Sequence, residues 1–308
     1  MLTPRIIVHL GASKIPHQFQ AESVEWCRRA VEKGFSVAQK GAKAVDIVME
    51  TVSILENSPV SDAGFGSVFN AKGSFQMDAG IMTGDKKYGA VISVHNIQNP
   101  IRAARILVDD PKFSILCGQG AMDFVRSHNI PFCPDSSFVT KYNTYIKERS
   151  KDPVDLFVQE NSQQENDHGT VGCVALDSYG KIAAGTSTGG IPGAPIGRVG
   201  DSPIPGSGVW ADDSDGGCSC TGYGEQILVE NLASKAAARM NFMSSMKAAK
   251  ESIEAFAKTP RSLGGIIMIN KQTGEYGFYH NTVHMPCAYL NKDGSITSIL
   301  SINDLKKK

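Results

Sequence analysis

The chain has 308 residues, and 31 Lys and Arg balance 31 Asp and Glu, so its formal charge at pH 7 is zero. A neutral chain offers no electrostatic reason to expect a nucleic acid or an anionic membrane as partner, because both attract basic surfaces. Hydrophobic residues make up 41% and charged residues 20%, which excludes a wholly disordered chain. At about 100–200 residues per domain, the length allows one large domain or two.

Hydrophobic periodicity divides the first half of the chain into strands and helices. Apolar residues at three- and four-residue steps predict helices, and short apolar runs between turn residues predict strands. The predicted elements are a strand at 5–10, two helices within 20–57 separated at Gly41, strands at 74–82 and 89–95, a helix beginning at Pro100, and further short helices to about 149.

The second half begins after a polar, acidic stretch at 150–168, which predicts a flexible linker. Two runs joined by a Tyr-Gly-Lys turn, 170–177 and 182–188, predict a β-hairpin. Two blocks that each contain strands and helices indicate an α+β fold with helices covering a strand-rich centre. The remaining predicted elements are a Gly- and Pro-rich loop at 189–208, helices near 225–241 and 244–258, and strands near 265–270, 276–281, 285–291 and 296–301.

The seven cysteines include no C-x-x-C pair, so no zinc knuckle or thioredoxin motif is predicted. Reduced thiols in a cytoplasmic protein fit this number best. Cys218 and Cys220 form a C-x-C without nearby ligands, and small residues on a strand are the more economical interpretation. No apolar stretch approaches the roughly 20 residues of a membrane span, and the first strand is too short to be a signal-peptide core.

Two motifs suggest other chemistries but lack the required context. Residues 185–189 match G-x-S-x-G, whose Ser187 would need a helix directly after the strand. Pro192 follows too soon for that helix, so a Ser187 hydrolase is disfavoured. Asp212, Asp213 and Asp215 precede a glycine as in half a calcium loop, but their spacing is wrong and no Glu closes it. No metal site is therefore predicted from side chains.

The junction between Gly169 and Thr170 allows a less common chemistry. If this bond were cut, Thr170 would carry a hydroxyl and a free α-amine, and an amine with a pKa near 7.7–8.0 can act as base for that hydroxyl. One residue would then supply nucleophile and base without a histidine. In the alternative, Thr170 is merely a β-branched residue that opens a strand, and spacing alone favours this alternative.

At this point the sequence resembles a known family across nearly its whole length. The family is the plant-type L-asparaginases, also called isoaspartyl peptidases or β-aspartyl-peptidases, which are N-terminal-nucleophile (Ntn) hydrolases. The resemblance rests on blocks in the family's order and spacing: GAKAVDIVMETVSILEN (41–57), AGFGSVFNAKGSFQMDAGIMTG (63–84), GAVISVHNIQNPIRAAR (89–105), GTVGCVALDSYGKIAAGTSTGG (169–190), GRVGDSPIPGSGVWAD (197–212) and CTGYGE (220–225).

The resemblance implies a fold and a maturation step. It implies one domain over 1–308 with the four-layer αββα sandwich of Ntn hydrolases, made as a precursor that cuts itself into an α subunit, 1–169, and a β subunit, 170–308. A homodimer of such processed heterodimers is expected. No cofactor is expected beyond a possible structural sodium ion, held by backbone carbonyls of the 57–67 loop.

The resemblance also implies the reaction, which is hydrolysis of L-asparagine and β-aspartyl dipeptides to release L-aspartate. Thr170 would be the nucleophile, with Thr188 against it, and Gly169 would be the other side of the self-cleavage site. Guanidinium and carboxylate groups suit an amino acid's two charges. The residues implied in binding substrate or its oxyanion are Arg198, Val199, Gly200, Asp201, Thr221, Gly222, Tyr223 and Gly224.

The chain departs from the family pattern at two places. After the first strand it has His9-Leu10-Gly11-Ala12 where the family has an HGG-type run, and it has Asp62 where the family has Asn. Leu tolerates fewer backbone conformations than Gly. These departures motivate a rival hypothesis, in which the protein is an uncut, non-catalytic homologue that binds an amino acid or another protein.

Overall fold

The computed structural model describes residues 2–110, 112–149 and 169–307, so the predicted linker at 150–168 lies outside the described residues. The strands are β1 Arg5–Leu10, β2 Met77–Thr83, β3 Tyr88–Val94, β4 Ile115–Cys117, β5 Val171–Leu176, β6 Ile182–Thr188, β7 Val209–Asp212, β8 Gly216–Gly222, β9 Gly264–Asn270, β10 Tyr276–His280, β11 Cys287–Leu290 and β12 Ile296–Ile299. The helices are α1 His17–Ala38, α2 Ala44–Glu56, α3 Pro100–Val108, α4 Gly118–Ser127, α5 Lys141–Arg149, α6 Gly224–Glu230, α7 Leu232–Arg239 and α8 Ser245–Phe256.

The described strands form two sheets. The larger has the order β12-β11-β1-β5-β6-β2-β3-β4 and the smaller the order β10-β9-β8-β7. All neighbouring strands are antiparallel except β3 and β4. The predicted hairpin is confirmed, because β5 and β6 pair from Leu176 with Ile182 to Val171 with Ser187. This hairpin lies at the middle of the large sheet.

Side-chain alternation along the central strands separates two apolar layers. In β1, Ile6 and Val8 join the cluster formed with α1, α2 and α3, whereas Ile7 joins a cluster with Val174 and Ile267 that includes strands of both sheets. Successive strand residues point to opposite faces, so one face of the large sheet packs on helices and the other packs on the small sheet.

A third apolar cluster joins the small sheet to helices α7 and α8. Cys218 and Cys220 of β8 are buried in it with Ile253 and Met268. Burial raises the pKa of both thiols well above the ordinary value, which suits unreactive packing groups rather than metal ligands. Strands and helices thus pack in successive layers, and the α+β prediction is confirmed.

The structure differs from the predicted elements at three places. The single helix near 225–241 is two helices, because Asn231 adopts left-handed dihedrals with φ of 49°, which end a right-handed helix. Strand β7, Val209–Asp212, lies in a region that the sequence left unassigned. Strand β4, Ile115–Cys117, lies in a region predicted as helix and pairs with β3. Both strands are short, so their periodicity is weak.

The sheet topology places Thr170, Thr188 and Asp78 close together at one end of their strands. Thr170 directly precedes β5 and Thr188 ends β6, and these strands run antiparallel, so both threonines lie at the same end. Asp78 of β2 lies directly opposite Thr188. None of the helices in the described ranges has the length and apolarity needed to cross a membrane.

Candidate active site

The Thr188 hydroxyl contacts both sides of the Gly169–Thr170 peptide bond. The Thr170 Oγ1 hydroxyl donates to Thr188 Oγ1 at 3.3 Å, and Thr188 Oγ1 donates to the Gly169 carbonyl oxygen at 3.3 Å. The backbone N–H of Gly190 also donates to Thr188 Oγ1, at 3.1 Å. One hydroxyl therefore polarises the Gly169 carbonyl and accepts a hydrogen bond from the neighbouring Thr170 hydroxyl.

Asp62 holds the Gly169 backbone next to this peptide bond. The Gly169 N–H donates to Asp62 Oδ2 at 3.4 Å, and the Val68 N–H donates to Oδ1 at 3.3 Å. The Gly189 N–H donates to the Asp62 carbonyl oxygen at 2.8 Å. A Cβ on Gly169 would lie 2.5 Å from the Asp62 Cβ, so a larger residue at 169 requires the backbone to shift.

A small cavity adjoins Thr170, with a volume of about 10 Å³, room for about one water molecule. Seven of the eleven implied site residues line it, whereas Val199, Gly200, Thr221 and Tyr223 do not. The residues that line the cavity are Gly169, Thr170, Thr188, Gly190, Ile191, Arg198, Asp201, Ser202, Gly222 and Gly224.

The Arg198 guanidinium is oriented by a carboxylate that the sequence did not indicate. Its Nε and Nη2 donate to the two carboxylate oxygens of Glu225, each at 2.9 Å. Bidentate pairing fixes the plane of a guanidinium as well as its position. A Cβ on Gly200 would lie 2.8 Å from Nη1, and one on Gly224 would lie 3.0 Å from Nη2. Glycine at these two positions leaves room for the guanidinium.

Asp201 is a buried carboxyl with a perturbed pKa. Burial raises its pKa to about 7, while the Arg198 guanidinium lowers it and the charges of Glu225 and Asp78 raise it. Asp78 has a pKa of about 6, raised by burial and lowered by the Ser93 N–H and by Arg198. Asp201 Oδ2 is buried and has no hydrogen-bond partner among the described residues. A cationic group in the cavity would supply that partner.

Thr221 carries a second buried polar group without a partner. The residue is fully buried, and its hydroxyl has no hydrogen-bond partner within the described residues. An unsatisfied buried hydroxyl is costly unless a ligand or reaction intermediate uses it. The next residue, Gly222, has φ of 137°, and a Cβ there would lie 2.3 Å from the Leu263 carbonyl oxygen. The backbone beside Thr221 therefore requires glycine.

Comparison with known proteins decides the family of this chain. The family model described as asparaginase matches residues 2–300. The chain belongs to the asparaginase family. It is 39% identical over 306 residues to the isoaspartyl peptidase/L-asparaginase of Bos taurus, covering 98% of each chain. It is 37% identical over 298 residues to that of Homo sapiens, covering 96% of this chain and 95% of the relative. The protein is a hydrolase.

In this asparaginase-family chain, Ser187 lies on the opposite side of β6 from the two threonines beside it. Its hydroxyl donates to Glu56 Oε1 of helix α2 at 2.7 Å, and both residues are fully buried. Burial raises the pKa of Glu56 to about 8, and the hydrogen bond from Ser187 lowers it. The G-x-S-x-G match therefore places a structural serine against α2, as the sequence context indicated.

The acidic turn at 212–215 carries surface ion pairs. Lys86 pairs with Asp212, and Lys181 pairs with Asp213 at 2.7 Å. The Asn241 side chain donates to Asp215 at 2.8 Å. Across the described ranges, no group of three or more His, Cys, Asp or Glu side chains is arranged to hold a metal ion.

Sequence reasoning missed Glu225 and Asp78 at this site. Both lie inside blocks that carried the resemblance, since Glu225 ends CTGYGE and Asp78 lies within the block at 63–84. The signal that could have indicated them is a carboxylate in a glycine-rich stretch, because such a stretch has few other side chains able to orient a guanidinium. Glu225 binds Arg198 directly and Asp78 feels its charge, and Arg198 is more than 25 residues from each in the chain and close only in the fold.

Proposed function

We propose that this protein is a self-processing threonine amidohydrolase that acts on L-asparagine and β-aspartyl dipeptides and releases L-aspartate. The observation that carries the proposal is the position of the Thr188 hydroxyl, hydrogen-bonded to the Thr170 hydroxyl and to the Gly169 carbonyl. The relatives named isoaspartyl peptidase/L-asparaginase support the substrate class.

Maturation begins on the peptide bond itself. Thr170 Oγ1 attacks the Gly169 carbonyl carbon, and the negative charge that develops on the carbonyl oxygen is stabilised by the Thr188 hydroxyl. The C–N bond breaks and its nitrogen takes the proton, which leaves an ester between Gly169 and Thr170. Water then hydrolyses the ester. The products are a carboxylate on Gly169 and a free α-amine on Thr170.

Cleavage also enlarges the binding cavity. Gly169 lines the cavity of about 10 Å³, which is too small for an aspartyl group. Once Gly169 is a free chain end, it can leave and open the space between Thr170 and the paired charges. Arg198 then holds the substrate's α-carboxylate, and Asp201 holds its α-ammonium. In the uncut precursor, Gly169 therefore occupies the space that the substrate needs, and the precursor is inactive.

Hydrolysis then follows nucleophilic catalysis by Thr170. The free α-amine accepts the hydroxyl proton as Oγ1 attacks the side-chain carbonyl carbon of the substrate. The Thr221 hydroxyl and the Gly222 N–H stabilise the oxyanion. The amine returns its proton to the leaving ammonia or amine, and an acyl ester remains on Thr170. Water activated by the same amine releases L-aspartate.

The family resemblance carries further predictions about architecture and environment. We include in the proposal the four-layer αββα arrangement, which the three apolar clusters support. The processed homodimer and the cytoplasmic location stay predictions. For the sodium ion at 57–67, the Ser61 hydroxyl lies 3.0–3.1 Å from the carbonyl oxygens of Leu55, Ser58 and Ala63. Such converging carbonyls fit a hard cation, whose binding a sodium-dependent melting temperature would reveal.

Intact mass tests the proposal first. Purified protein incubated at neutral pH should convert to two species whose masses add to that of the precursor plus one water, and the larger fragment should end at Gly169. The processed sample should release L-aspartate from β-aspartyl dipeptides, whereas freshly made precursor should not. A single uncut chain that is inert on every amide offered would instead support the non-catalytic homologue.

The pH profile tests the role of Asp201. An ionised Asp201 is needed to hold the substrate ammonium, and its pKa is about 7. The catalytic amine, with an ordinary pKa near 7.7–8.0, must be neutral. Both groups lose function as pH falls, so log(kcat/KM) should approach a slope of 2 against pH at low pH.

The control for this profile is Asp201→Asn, which keeps the shape and removes the titration. Its kcat/KM should be lower at pH 8, and its slope at low pH should fall to 1. A wild-type slope of 1 that Asp201→Asn leaves unchanged would show that Asp201 does not bind the ammonium in its ionised form.

A further inference from the structure

A chain of polar side chains crosses the apolar layer between the two sheets. His9 Nε2 lies 2.8 Å from Ser219 Oγ, and Ser219 Oγ lies 2.8 Å from Thr186 Oγ1. The Thr186 hydroxyl donates to the Gly208 carbonyl oxygen at 3.1 Å. His9, Ser219 and Thr186 are fully buried. The group of His9, Ser219 and Thr186 is called here the bridging chain, because Ser219 belongs to the small sheet and the other two to the large sheet.

The hydrogen bonds of the bridging chain form one consistent direction. Burial lowers the pKa of His9 to about 3, despite a hydrogen bond with the Thr170 backbone, so the ring is neutral. The Gly208 carbonyl oxygen can only accept, so Thr186 donates its hydroxyl proton to it. The Ser219 hydroxyl then donates to Thr186 and accepts from His9 Nε2, which carries a ring proton.

Two members of the bridging chain lie on the strands that carry site threonines. Thr186 and Ser219 are each two residues before a site threonine, Thr188 in β6 and Thr221 in β8. Residues two apart in a strand share a face, so Thr186 and Ser219 face the same inter-sheet space as those threonines. In the third strand, β5, the residue two beyond Thr170 is Gly172.

Gly172 leaves the space that the bridging chain occupies. It pairs directly with His9 of β1 and with Thr186 of β6. A Cβ at this position would lie 1.9 Å from Ser219 Oγ and 2.5 Å from His9 Nε2. Both distances are far inside van der Waals contact, so any larger residue would displace the serine and the histidine. Strand β5 thus has a glycine at the point where polar side chains of the two sheets meet.

We propose that the bridging chain is a positioning device, which sets the distance between the sheet that carries Thr170 and Thr188 and the sheet that carries Thr221. Nucleophile and oxyanion donor lie on different sheets, and an apolar interface is non-directional and allows small sliding. Hydrogen bonds are directional, so they prevent one sheet from sliding over the other next to the reacting atoms. This inference rests on the proposed function.

The deciding variant is Ser219→Ala, which removes the central hydroxyl and leaves the site residues unchanged. Small displacements of reacting groups are costly, with about 1 Å worth on the order of 10²-fold in rate. We expect kcat to fall at least about tenfold, while KM stays within about twofold, because the two hydrogen bonds of Ser219 go to His9 and Thr186 and not to the residues proposed to bind the substrate charges. The matched control is Ser23→Ala, a buried serine in α1 whose hydroxyl donates to the Phe19 carbonyl. It should keep wild-type kcat.

Thr186 gives the conservative test. Thr186→Ser keeps the hydroxyl and should keep most of the activity, whereas the isosteric Thr186→Val should lose kcat as Ser219→Ala does. If Thr186 acted only through packing, Thr186→Val would keep more activity than Thr186→Ser, since Val matches the shape of Thr. Equal kcat for wild type, Ser219→Ala and Thr186→Val in folded protein would overturn the proposal.

A readout without substrate separates this inference from the proposed function. In 15N-histidine spectra of the folded protein, one ring should stay neutral down to about pH 4 with its proton on Nε2, and Ser219→Ala should shift that nitrogen. A proton on Nδ1, or no shift on substitution, would overturn the bridging chain itself. If these spectra agree but the wild type neither cuts itself nor hydrolyses β-aspartyl amides, the proposed function fails and the positioning role fails with it.

Discussion

Replacing Thr170 by Val should abolish both self-cleavage and hydrolysis. Val keeps the β-branched shape at the start of β5, which is buried with only 6% of Thr170 exposed, and removes the hydroxyl that bonds to Thr188. Without a nucleophile neither ester can form, and loss of a nucleophile typically lowers kcat by at least about 10⁴-fold. Intact mass after prolonged incubation and release of L-aspartate from a β-aspartyl dipeptide measure the two effects.

Thr170→Ser is the matched control. It keeps a hydroxyl on the same carbon, so it should still yield two fragments and retain measurable turnover. Both variants should show a melting temperature close to that of the wild type, because one buried hydroxyl in a 3.3 Å hydrogen bond contributes about 1 kcal/mol or less. A Thr170→Val protein that still appears as two fragments would refute the assignment of the nucleophile.

Thr221→Val should lower activity without lowering stability. The Thr221 hydroxyl is buried and unpaired within the part of the chain that the structure describes, and it is proposed to donate to the oxyanion. Removing one such donor typically costs about 10²–10³-fold in kcat. An unsatisfied buried hydroxyl costs about 1–3 kcal/mol, so its isosteric removal should leave the melting temperature unchanged or raise it.

The comparison for Thr221 is the Thr186→Val variant, which makes the same chemical change at a hydroxyl with partners. That variant breaks two hydrogen bonds and should lower the melting temperature. For Thr221→Val, KM should change little, because the charges of the substrate are held elsewhere. A lower melting temperature together with unchanged kcat would mean that the Thr221 hydroxyl is structural.

The departures from the family pattern after β1 prove compatible with the backbone. Leu10 lies in β1 and pairs with Val171, as any L-residue can. Gly11 has φ of 93°, the region that favours glycine, and a glycine is present there. Asp62 accepts two backbone N–H donors with its two carboxylate oxygens. Leu10 therefore adds no backbone strain, and the uncut-homologue hypothesis retains Ala12 and the added carboxylate of Asp62 as its basis.

The sequence alone determined the fold class and the central hairpin, and the family resemblance implied the position of Thr188 against Thr170. These features are local: alternation and turn residues define β5 and β6, and an antiparallel hairpin necessarily brings the start of one strand beside the end of the other. The sequence also disfavoured Ser187 as a nucleophile, because Pro192 follows too soon for the helix that G-x-S-x-G requires. Boundaries were less certain where elements were short, as in β4 and β7.

Only the tertiary structure decided what surrounds those residues. The orientation of Arg198 by Glu225, the unpaired Thr221 hydroxyl and the bridging chain depend on which strands and loops meet. His9 and Ser219 are 210 residues apart in the chain, and no periodicity links them. Their contact follows from the packing of two sheets at a glycine, because a missing side chain in one strand becomes space for polar atoms of another only after the sheets have come together.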